Sequence, residues 1–301
     1  MEVSRPQQTL AAPVRFEGVG IHLGQLARVE VLPAPVDSGR VFVRHGQEIP
    51  ALHARVSSVE RCTVLSAGGV SVSTVEHLLA ACAGLRLDNL RILIEGPEVP
   101  ILDGSALPFA EAFLAVGVVG QERPACRHVL TRPLWVGDEN ALVLALPAAE
   151  ARLEYSLHYQ HPMITYQQVH HTPTPESFLS GLAAARTYGF MEEVEALLER
   201  GLARGGDLSN ALVIRSDGYT SELRFPDEPV RHKCLDLVGD LALLGCDLMA
   251  RVVAVKAGHR LHVELVGKVL KEDPTDVGDE RNQEEVAPPL PMPALGSGSG
   301  A

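Results

Sequence analysis

The sequence predicts an α+β protein made of two domains, each a β-sheet with helices. At 301 residues the chain is long for a single hydrophobic core, and two domains of about 130 residues are the default. Both halves show the same order of strands, helix, strand and helix, on either side of a connector at 117–128. We therefore predict an N-terminal domain over 1–125, a C-terminal domain over 126–271, and a disordered Pro/Gly/Ser-rich tail over 272–301.

Short alternating segments in the first half predict strands, since clusters of Gly and Pro separate them. A helix is expected over 74–84. Ser73 and Glu76 give its start the pattern of a capping box, in which each side chain bonds the other residue's backbone N–H. A second helix is expected near 108–116, after a loop at 96–105. The predicted strands of this half cover 14–16, 27–31, 41–43, 70–72 and 90–95.

The second half repeats this pattern with its own helix signals. Pro175 is favoured in the first turn of a helix, which we predict over 176–185. Gly201 predicts the end of a helix near 190–200, and a third helix is expected over 230–245. The predicted strands cover 129–136, 141–147, 151–158, 211–215 and 250–256.

Charge and composition exclude several classes of function. The formal charge is 26 − 38 = −12, which argues against a nucleic-acid binder and against binding to anionic membranes. The 5 cysteines are dispersed and form no Cys-x-x-Cys pair, a usage typical of reduced cytoplasmic thiols. The N-terminus does not resemble a signal peptide, and no run of about 18 apolar residues is present. We therefore expect a cytoplasmic protein without an integral membrane segment.

One predicted helix face in the second half concentrates residues with chemical potential. His232, Asp236 and Asp240 are spaced four residues apart, so a helix places them on the same side. An imidazole and a carboxylate one turn apart can hold a divalent metal, and Zn²⁺ accepts both ligand types. The same spacing is also common in plain helical ion pairs, so the pattern alone leaves both interpretations open.

Two shorter motifs offer further candidates. Glu76 and His77 lie in the first turn of a predicted helix, where the dipole favours the neutral, metal-binding imidazole and a carboxylate could act as a general base. His259 follows an apolar strand, in a predicted loop from which it could protonate a leaving amine. Each of these residues also has an ordinary interpretation. Glu76 could be a helix-cap residue, His77 a helix-face histidine and His259 a surface-loop histidine. We interpret His158 and His262 as ordinary surface or strand histidines.

Five motifs, taken together and in order, carry a family resemblance. They are Ser73–Leu78 (STVEHL), Glu98–Ser105 (EVPILDGS), Arg186–Met191 (RTYGFM), His232–Asp240 (HKCLDLVGD) and Lys256–His259 (KAGH). This series resembles the zinc-dependent UDP-3-O-acyl-N-acetylglucosamine deacetylase family of lipid A biosynthesis. The similarity runs from about residue 9 to about residue 271, which is nearly everything except the predicted tail.

The resemblance implies helices packed between the two sheets and one Zn²⁺ per chain. It implies zinc ligands at His77, His232 and Asp236, with water at the fourth position. Three protein ligands and one open position are what catalytic zinc requires. Glu76 matches the general base of the family. His259 matches the charged general acid that protonates the amine or stabilises the oxyanion.

Further positions match residues that support catalysis or bind substrate. Asp240 matches the acid that orients the general acid, and Lys233 matches a charge near the reacting centre and the substrate phosphates. Thr187 matches a hydroxyl that contacts the substrate carbonyl. Cys62 matches a cysteine close to the metal that is not a required ligand. The remaining matches are Tyr159 and Lys256 for the nucleotide, and Phe190, Met191, Val194, Leu202 and Ala211 for an apolar passage that takes the acyl chain.

Three positions depart from the family pattern without touching the implied metal ligands. Tyr188 stands where an apolar Phe is common, and Asp207 where small uncharged residues are frequent. His158 replaces an acidic residue beside the nucleotide ring. These departures bear on substrate affinity and acyl preference rather than on the presence of activity.

The implied reaction is hydrolysis of the N-acetyl group of UDP-3-O-acyl-N-acetylglucosamine to the free amine and acetate, the committed step of lipid A biosynthesis. We expect a monomer whose partner is this nucleotide-sugar lipid. One alternative is a zinc deacetylase acting on another acylated amine or nucleotide sugar. Another is a non-catalytic binding protein stabilised by metal, which predicts a closed site of four ligands. The second alternative leaves Glu76 and His259 unexplained, and only three ligands are visible in the sequence.

Overall fold

The computed structural model describes residues 5–272 and confirms the predicted α+β class. Each half of the chain contributes one large mixed sheet, and buried helices from the two halves contact each other. The predicted tail, beyond its first residue Glu272, lies outside the described residues.

The first half forms a five-stranded sheet, together with helices. Its elements are β1 (Pro6–Leu10), β2 (Val14–Val19), β3 (Leu26–Pro33), β4 (Arg40–Arg44), β5 (Gln47–Pro50), β6 (Val56–Ser58), β7 (Val64–Ala67), β8 (Val70–Val72), α1 (Glu76–Gly84), β9 (Leu90–Glu95), α2 (Leu107–Val116) and β10 (Val118–Pro124). The large sheet has the order β2-β3-β9-β4-β5, and β6-β7-β8 form a smaller one. Ala27, Val29 and Val31 alternate as the buried face of β3, as the period of a half-buried strand requires.

The second half forms another large mixed sheet, together with further helices. Its elements are β11 (Arg127–Val129), β12 (Leu134–Gly137), β13 (Leu142–Pro147), β14 (Arg152–His161), β15 (Ile164–His171), α3 (Pro175–Gly181), β16 (Tyr188–Phe190), α4 (Met191–Glu199), β17 (Leu212–Arg215), β18 (Gly218–Tyr219), α5 (Glu228–Leu241), β19 (Asp247–Val255) and α6 (His259–Val269). The order is β12-β13-β19-β14-β15, and β11 also pairs with β19. Strand β19 runs antiparallel to β13 and parallel to β14. The remaining strands, β16-β17-β18, form a separate small sheet.

The helices α1 and α5 link the two halves through the core. Residues 76–82 of α1 are all buried, which is typical of a helix surrounded by protein. Helix α1 contacts α5, and α5 in turn contacts β14, β15 and α6. A single hydrophobic cluster contains Phe42 of the first sheet, Leu78 of α1, Leu235 of α5 and Val252 of the second sheet. The helix layer implied by the family resemblance is therefore present.

The capping box predicted for α1 is wrong. The residue that precedes the helix is Val75, and no side chain caps it. Ser73 instead donates its hydroxyl proton to the carbonyl of Pro97 at 3.2 Å. The Glu76 carboxylate instead accepts a hydrogen bond from the backbone N–H of Thr63 at 3.0 Å. The tertiary contact therefore engages a carboxylate that a local capping rule would assign to the helix start.

Two segments, one predicted as a connector and the other as a loop, contain regular structure. The connector at 117–128 contains β10, which pairs antiparallel with β1, and β11, which pairs with β19. The predicted loop histidine His259 is instead the first residue of α6. Thr174 does cap α3 by accepting from the N–H of Ser177, as the Thr-Pro start suggests, although the helix ends at Gly181.

The predicted domain boundary at residues 125 and 126 falls between β10 and β11 and stays a prediction. Within residues 5–272 we find no helix with both the length and the apolar character needed to cross a membrane.

Candidate active site and metal centre

The site is built where α1 approaches α5. A Cβ atom on Gly239 would collide with the backbone carbonyl of Glu76, so only glycine allows the two helices to come this close at that point. The approach brings His77 of α1 beside Asp236 of α5. Candidate site residues that lie far apart along the chain are therefore brought together by one close helix–helix contact.

Three buried side chains form a candidate metal centre. The Nε2 atoms of His77 and His232 lie 3.5 Å and 3.3 Å from Oδ1 of Asp236. One ligand atom from each residue lies within 4.8 Å of the other two. Two imidazole nitrogens and one carboxylate oxygen are a donor set that suits Zn²⁺ and leaves room for a further ligand.

The protonation and hydrogen bonding of these residues suit metal binding. His232 donates a hydrogen bond from Nδ1 to the carbonyl of Ala185 at 3.0 Å. The lone pair of Nε2 is therefore free to bind a metal. Burial lowers the pKa of His232 to about 3, so its imidazole is neutral. Burial opposes ionisation of Asp236, but its electrostatic interactions with the neighbouring His232 and Lys233 outweigh burial and hold the pKa of Asp236 well below its usual value.

One buried oxygen within the described part of the chain lacks the partner that its burial calls for. Oδ2 of Asp236 accepts a hydrogen bond from Nζ of Lys233 at 2.9 Å, whereas Oδ1 has no hydrogen-bond donor within residues 5–272. Leaving such an oxygen unsatisfied costs about 1–3 kcal/mol. A cation between Oδ1 and the two Nε2 atoms would satisfy it, so the residues present fit a divalent metal.

Glu76 lies beside this centre in a setting that favours proton uptake. Its Oε2 accepts from the N–H of Thr63, and its Oε1 is 3.8 Å from Nε2 of His259. Burial raises the pKa of Glu76, although the charges of His259 and His77 pull it down. A carboxylate with a raised pKa is a better proton acceptor than an exposed one.

Asp240 accepts hydrogen bonds from two histidines, one of which, His259, lies near Glu76. Its Oδ2 accepts from Nδ1 of His259 at 2.7 Å and from Nδ1 of His262 at 2.8 Å. Its Oδ1 accepts from the hydroxyl of Thr63 at 2.7 Å. Burial would lower the pKa of His259, but the Asp240 carboxylate outweighs it and raises that pKa to about 9. His259 is therefore a cation at neutral pH.

Sequence reasoning missed His262, and its interpretation as an ordinary surface or strand histidine is wrong. The side chain is completely buried on α6 and bonded to Asp240. The His259-x-x-His262 spacing places both rings near one face of a helix, so this signal becomes readable once α6 is recognised.

A cavity of about 740 Å³ opens onto these residues. Its polar floor contains the three candidate metal ligands, Glu76 and His259. Apolar side chains of α4 and of the segment leading into β17 form another part of its wall. The cavity therefore combines the candidate metal centre with an apolar compartment.

Comparison with known proteins finds relatives that match most of the chain. A family model described as UDP-3-O-acyl N-acetylglycosamine deacetylase matches residues 7–271. The chain is 46% identical to the UDP-3-O-acyl-N-acetylglucosamine deacetylase of Thermosynechococcus vestitus, over 90% of this chain and 96% of the relative. The enzymes of the same name from Chlamydia muridarum and Myxococcus xanthus are 42% and 41% identical, covering 89% and 88% of this chain and 96% and 87% of the relatives.

The chain belongs to this deacetylase family. Its members named above are enzymes, and the five motifs that carry the resemblance all lie within the matched residues.

The structure places most residues expected to bind substrate in a deacetylase at the cavity. Those that line it are Lys233, Thr187, Tyr159, Lys256, Phe190, Val194 and Ala211. Met191 and Leu202 are not among the described lining residues, and Met191 is 45% exposed. Cys62 is buried, and its burial together with the charge of Glu76 raises its pKa to about 12. The roles of all these residues stay predictions.

Two of the departures from the deacetylase pattern have visible contacts. The hydroxyl of Tyr188 lies 3.0 Å from the hydroxyl of Tyr159, so the departure fixes the ring expected to stack on the nucleotide. Asp207 lines the cavity, and its carboxylate accepts from Ser209 N at 2.7 Å. His158 is exposed on β14 and lies outside the cavity lining.

The loop at 20–24 brings a further residue to the site that sequence reasoning did not assign. His22 lines the cavity, and its Nδ1 is buried without a partner among the described residues. The buried carboxylate of Glu98 accepts from the N–H groups of His22 and Leu23, both at 2.9 Å, and from the hydroxyl of Thr74 at 2.8 Å. The motif 98–105 therefore holds this loop against the start of α1.

A buried ion pair supports the segment that carries Thr187. Glu228 is fully buried and accepts from Arg186 at its backbone N, Nε and Nη2, at 3.0, 2.8 and 3.1 Å. Arg224 N adds a fourth bond at 2.8 Å. Because Arg186 lies between Ala185, whose carbonyl orients His232, and Thr187, the pair fixes both neighbours.

Glu228→Gln should destabilise the fold by about 3–5 kcal/mol, because it leaves the buried guanidinium of Arg186 without its counter-charge. Urea denaturation at pH 7 measures this change. Glu150→Gln is the matched control, since Glu150 and Arg152 form a pair with side chains 72% and 62% exposed and such pairs contribute at most about 1 kcal/mol. Equal losses in the two variants would contradict the assigned role of the buried pair.

Proposed function

We propose that the chain hydrolyses the N-acetyl group of UDP-3-O-acyl-N-acetylglucosamine, giving the free amine and acetate, the committed step of lipid A biosynthesis. The observation that carries the proposal is the set of His77, His232 and Asp236 beside Glu76 and His259 at one cavity. The names of relatives at 41–46% identity give the substrate. A non-catalytic metal site would leave the Glu76 and His259 groups without a role.

The proposed metal is one Zn²⁺ per chain, held by His77, His232 and Asp236. When bound, it supplies Lewis acidity to an attacking water and to the acetyl carbonyl. The unpartnered Oδ1 of Asp236 and the neutral His232 support this assignment.

Proton transfer is assigned to two residues of the chain. Glu76 accepts the proton of the attacking water, since burial raises its pKa. His259 holds the proton that the amine nitrogen takes when the amide C–N bond breaks, since the charge of Asp240 keeps its imidazole protonated. The two groups lie 3.8 Å apart, so both can reach one reacting amide.

Three further side chains orient and bind the substrate in this proposal. Lys233 and Thr187 line the cavity next to the candidate ligands. Nζ of Lys233 lies 2.9 Å from Asp236 and adds positive charge where an oxyanion develops. In this proposal the hydroxyl of Thr187 contacts the substrate carbonyl and Lys256 binds the nucleotide, since both side chains line the cavity.

The central test is a deacetylation assay on UDP-3-O-acyl-N-acetylglucosamine with and without a chelator. We expect turnover that chelation abolishes and that one equivalent of Zn²⁺ restores. Turnover of other acylated amines, but not of this substrate, would instead support a zinc deacetylase of different specificity.

Combined replacement His232→Ala and Asp236→Ala should remove the bound metal, because it deletes two of the three donors. Elemental analysis of purified protein checks this, with circular dichroism as the control for folding. His158→Ala, which removes an exposed histidine outside the cavity, should keep its metal. Full metal content in the double variant would overturn the ligand assignment.

Shortening the acyl chain should lower kcat/KM by roughly fourfold for each methylene removed, since each buried CH₂ contributes about 0.8 kcal/mol. The apolar wall formed by Phe190, Val194 and Ala211 supports this expectation. A series of substrates that differ in acyl length measures it. Ala211→Trp should block the passage and lower kcat/KM for long chains only. Equal efficiency for short and long chains would mean that no acyl passage exists.

The monomeric state and the cytoplasmic location remain predictions. Sedimentation equilibrium of the purified chain would decide the first of them.

A further inference from the structure

One oxygen of the Asp240 carboxylate accepts hydrogen bonds from two histidines. The carboxylate is fully buried, and its Oδ2 accepts from Nδ1 of His259 at 2.7 Å and from Nδ1 of His262 at 2.8 Å. Its other oxygen accepts from the hydroxyl of Thr63. His259 faces the cavity, whereas His262 is absent from the described lining and completely buried. The reaction assigned above uses His259 and Asp240 but gives His262 no role.

We propose that His262 is a positioning residue for this reaction, whose Nδ1–H fixes the angle of the Asp240 carboxylate and thereby the place of His259. The inference rests on the proposed function, because it concerns the same proton donor. The hydroxyl of Thr63, just before β7, donates to Oδ1 of the carboxylate, and Nδ1 of His262 on α6 donates to Oδ2. A carboxylate held in this way cannot rotate about its Cβ–Cγ bond without losing a buried hydrogen bond, which is costly.

The surroundings of His262 make it a neutral donor rather than a second cation. The groups that face it are Asp240 of α5, Tyr155 of β14 and His259 of its own helix, with the charge of Asp236 farther away. The hydroxyl proton of Tyr155 is used on the carbonyl of Ala257 at 2.6 Å, so this hydroxyl does not donate to Nε2 of His262. Burial lowers the pKa of His262.

This neutrality has a consequence for the proton donor. A cationic His262 would share the single negative charge of Asp240 with His259 and weaken the interaction that keeps His259 protonated. A neutral donor at the same oxygen orients the carboxylate but leaves its charge to His259. His262 therefore contributes geometry, and Asp240 contributes charge.

Two amide variants separate positioning from simple filling of space. In His262→Asn the side-chain NH₂ can occupy the place of the imidazole Nδ1, two bonds beyond Cβ. In His262→Gln it reaches the place of Nε2 instead and points at Tyr155. Glutamine is the closer match in volume, so a residue that only fills the core should tolerate Gln at least as well as Asn.

The measurement is kcat and KM for UDP-3-O-acyl-N-acetylglucosamine, with metal content and thermal unfolding of each variant as controls. We expect His262→Asn to keep kcat within about threefold, and His262→Gln to lose about tenfold or more in kcat with little change in KM, as for an interaction that acts on a proton-transfer group. Equal kcat in the two variants, or a loss confined to KM, would overturn the inference. Absence of turnover by the unsubstituted chain would instead refute the proposed function, so the two failures are distinguishable.

If either variant unfolds, kcat and KM are measured on Thr63→Val, which removes the hydroxyl that donates to the other oxygen of Asp240. This variant should also lower kcat while KM is retained. An unchanged kcat would overturn the two-donor arrangement.

Discussion

Replacement of Glu76 by glutamine should lower kcat by about 10²- to 10⁴-fold, the scale for loss of a general base. The amide has nearly the shape of the carboxylate but cannot accept a proton from water. Glu76 is next to the candidate metal ligand His77 in the sequence. Its two carboxylate oxygens, however, lie near the backbone N–H of Thr63 and the ring of His259, so Glu76 is not assigned as a ligand. The variant should therefore retain its metal, which elemental analysis checks.

The matched control is Glu48→Gln, which changes an exposed carboxylate paired with Arg91 and should leave kcat within about twofold. If Glu76→Gln lost its metal together with its activity, Glu76 would be acting as a ligand and not as a base. If kcat were unchanged, another group would have to take the proton.

Replacement of His259 by alanine should also lower kcat by about 10²-fold or more, because the leaving amine would lose its proton donor. In the unsubstituted protein the active form of His259 is the imidazolium. Because its pKa is raised to about 9, activity should be lost as pH rises through that value. A cation at the neighbouring ligands would lower the pKa, so the basic limb of the kcat profile is expected at or below about pH 9.

Asp240→Asn should move this basic limb to lower pH. Burial alone lowers the pKa of His259, and the carboxylate of Asp240 is the leading cause that raises it. Without that charge the imidazolium gives up its proton at lower pH, and activity falls earlier as pH rises. Steady-state kinetics between pH 5 and 10 measure the limb. Asp217→Asn, at an exposed pair with Arg215, should leave the profile in place. An unmoved limb in Asp240→Asn would mean that His259 is not the group that titrates.

The sequence alone determined the local geometry of the site. Spacing of four residues predicted that His232 and Asp236 share a helix face, and their ligand atoms lie 3.3 Å apart. Alternation predicted most strands of the two large sheets but not the edge strands β5 and β15. Thr174-Pro175 predicted the start of α3. These features depend on the period of a helix or strand and on backbone groups a few residues apart. They can therefore be predicted from the sequence alone.

The tertiary structure decided which of these faces meet. The sequence at the start of α1 has the pattern of a capping box, but the carboxylate of Glu76 accepts a hydrogen bond from the N–H of Thr63 instead. The hydroxyl of Thr63 reaches Asp240, a residue 177 positions away along the chain. His262 gained its partner only because α6 packs against α5. Gly239 permits the close approach of α1 and α5. A glycine within a predicted helix does not, however, show which other segment will pack against it. Contacts between distant segments follow from the packing of the whole core, and the local periods of the sequence do not encode that packing.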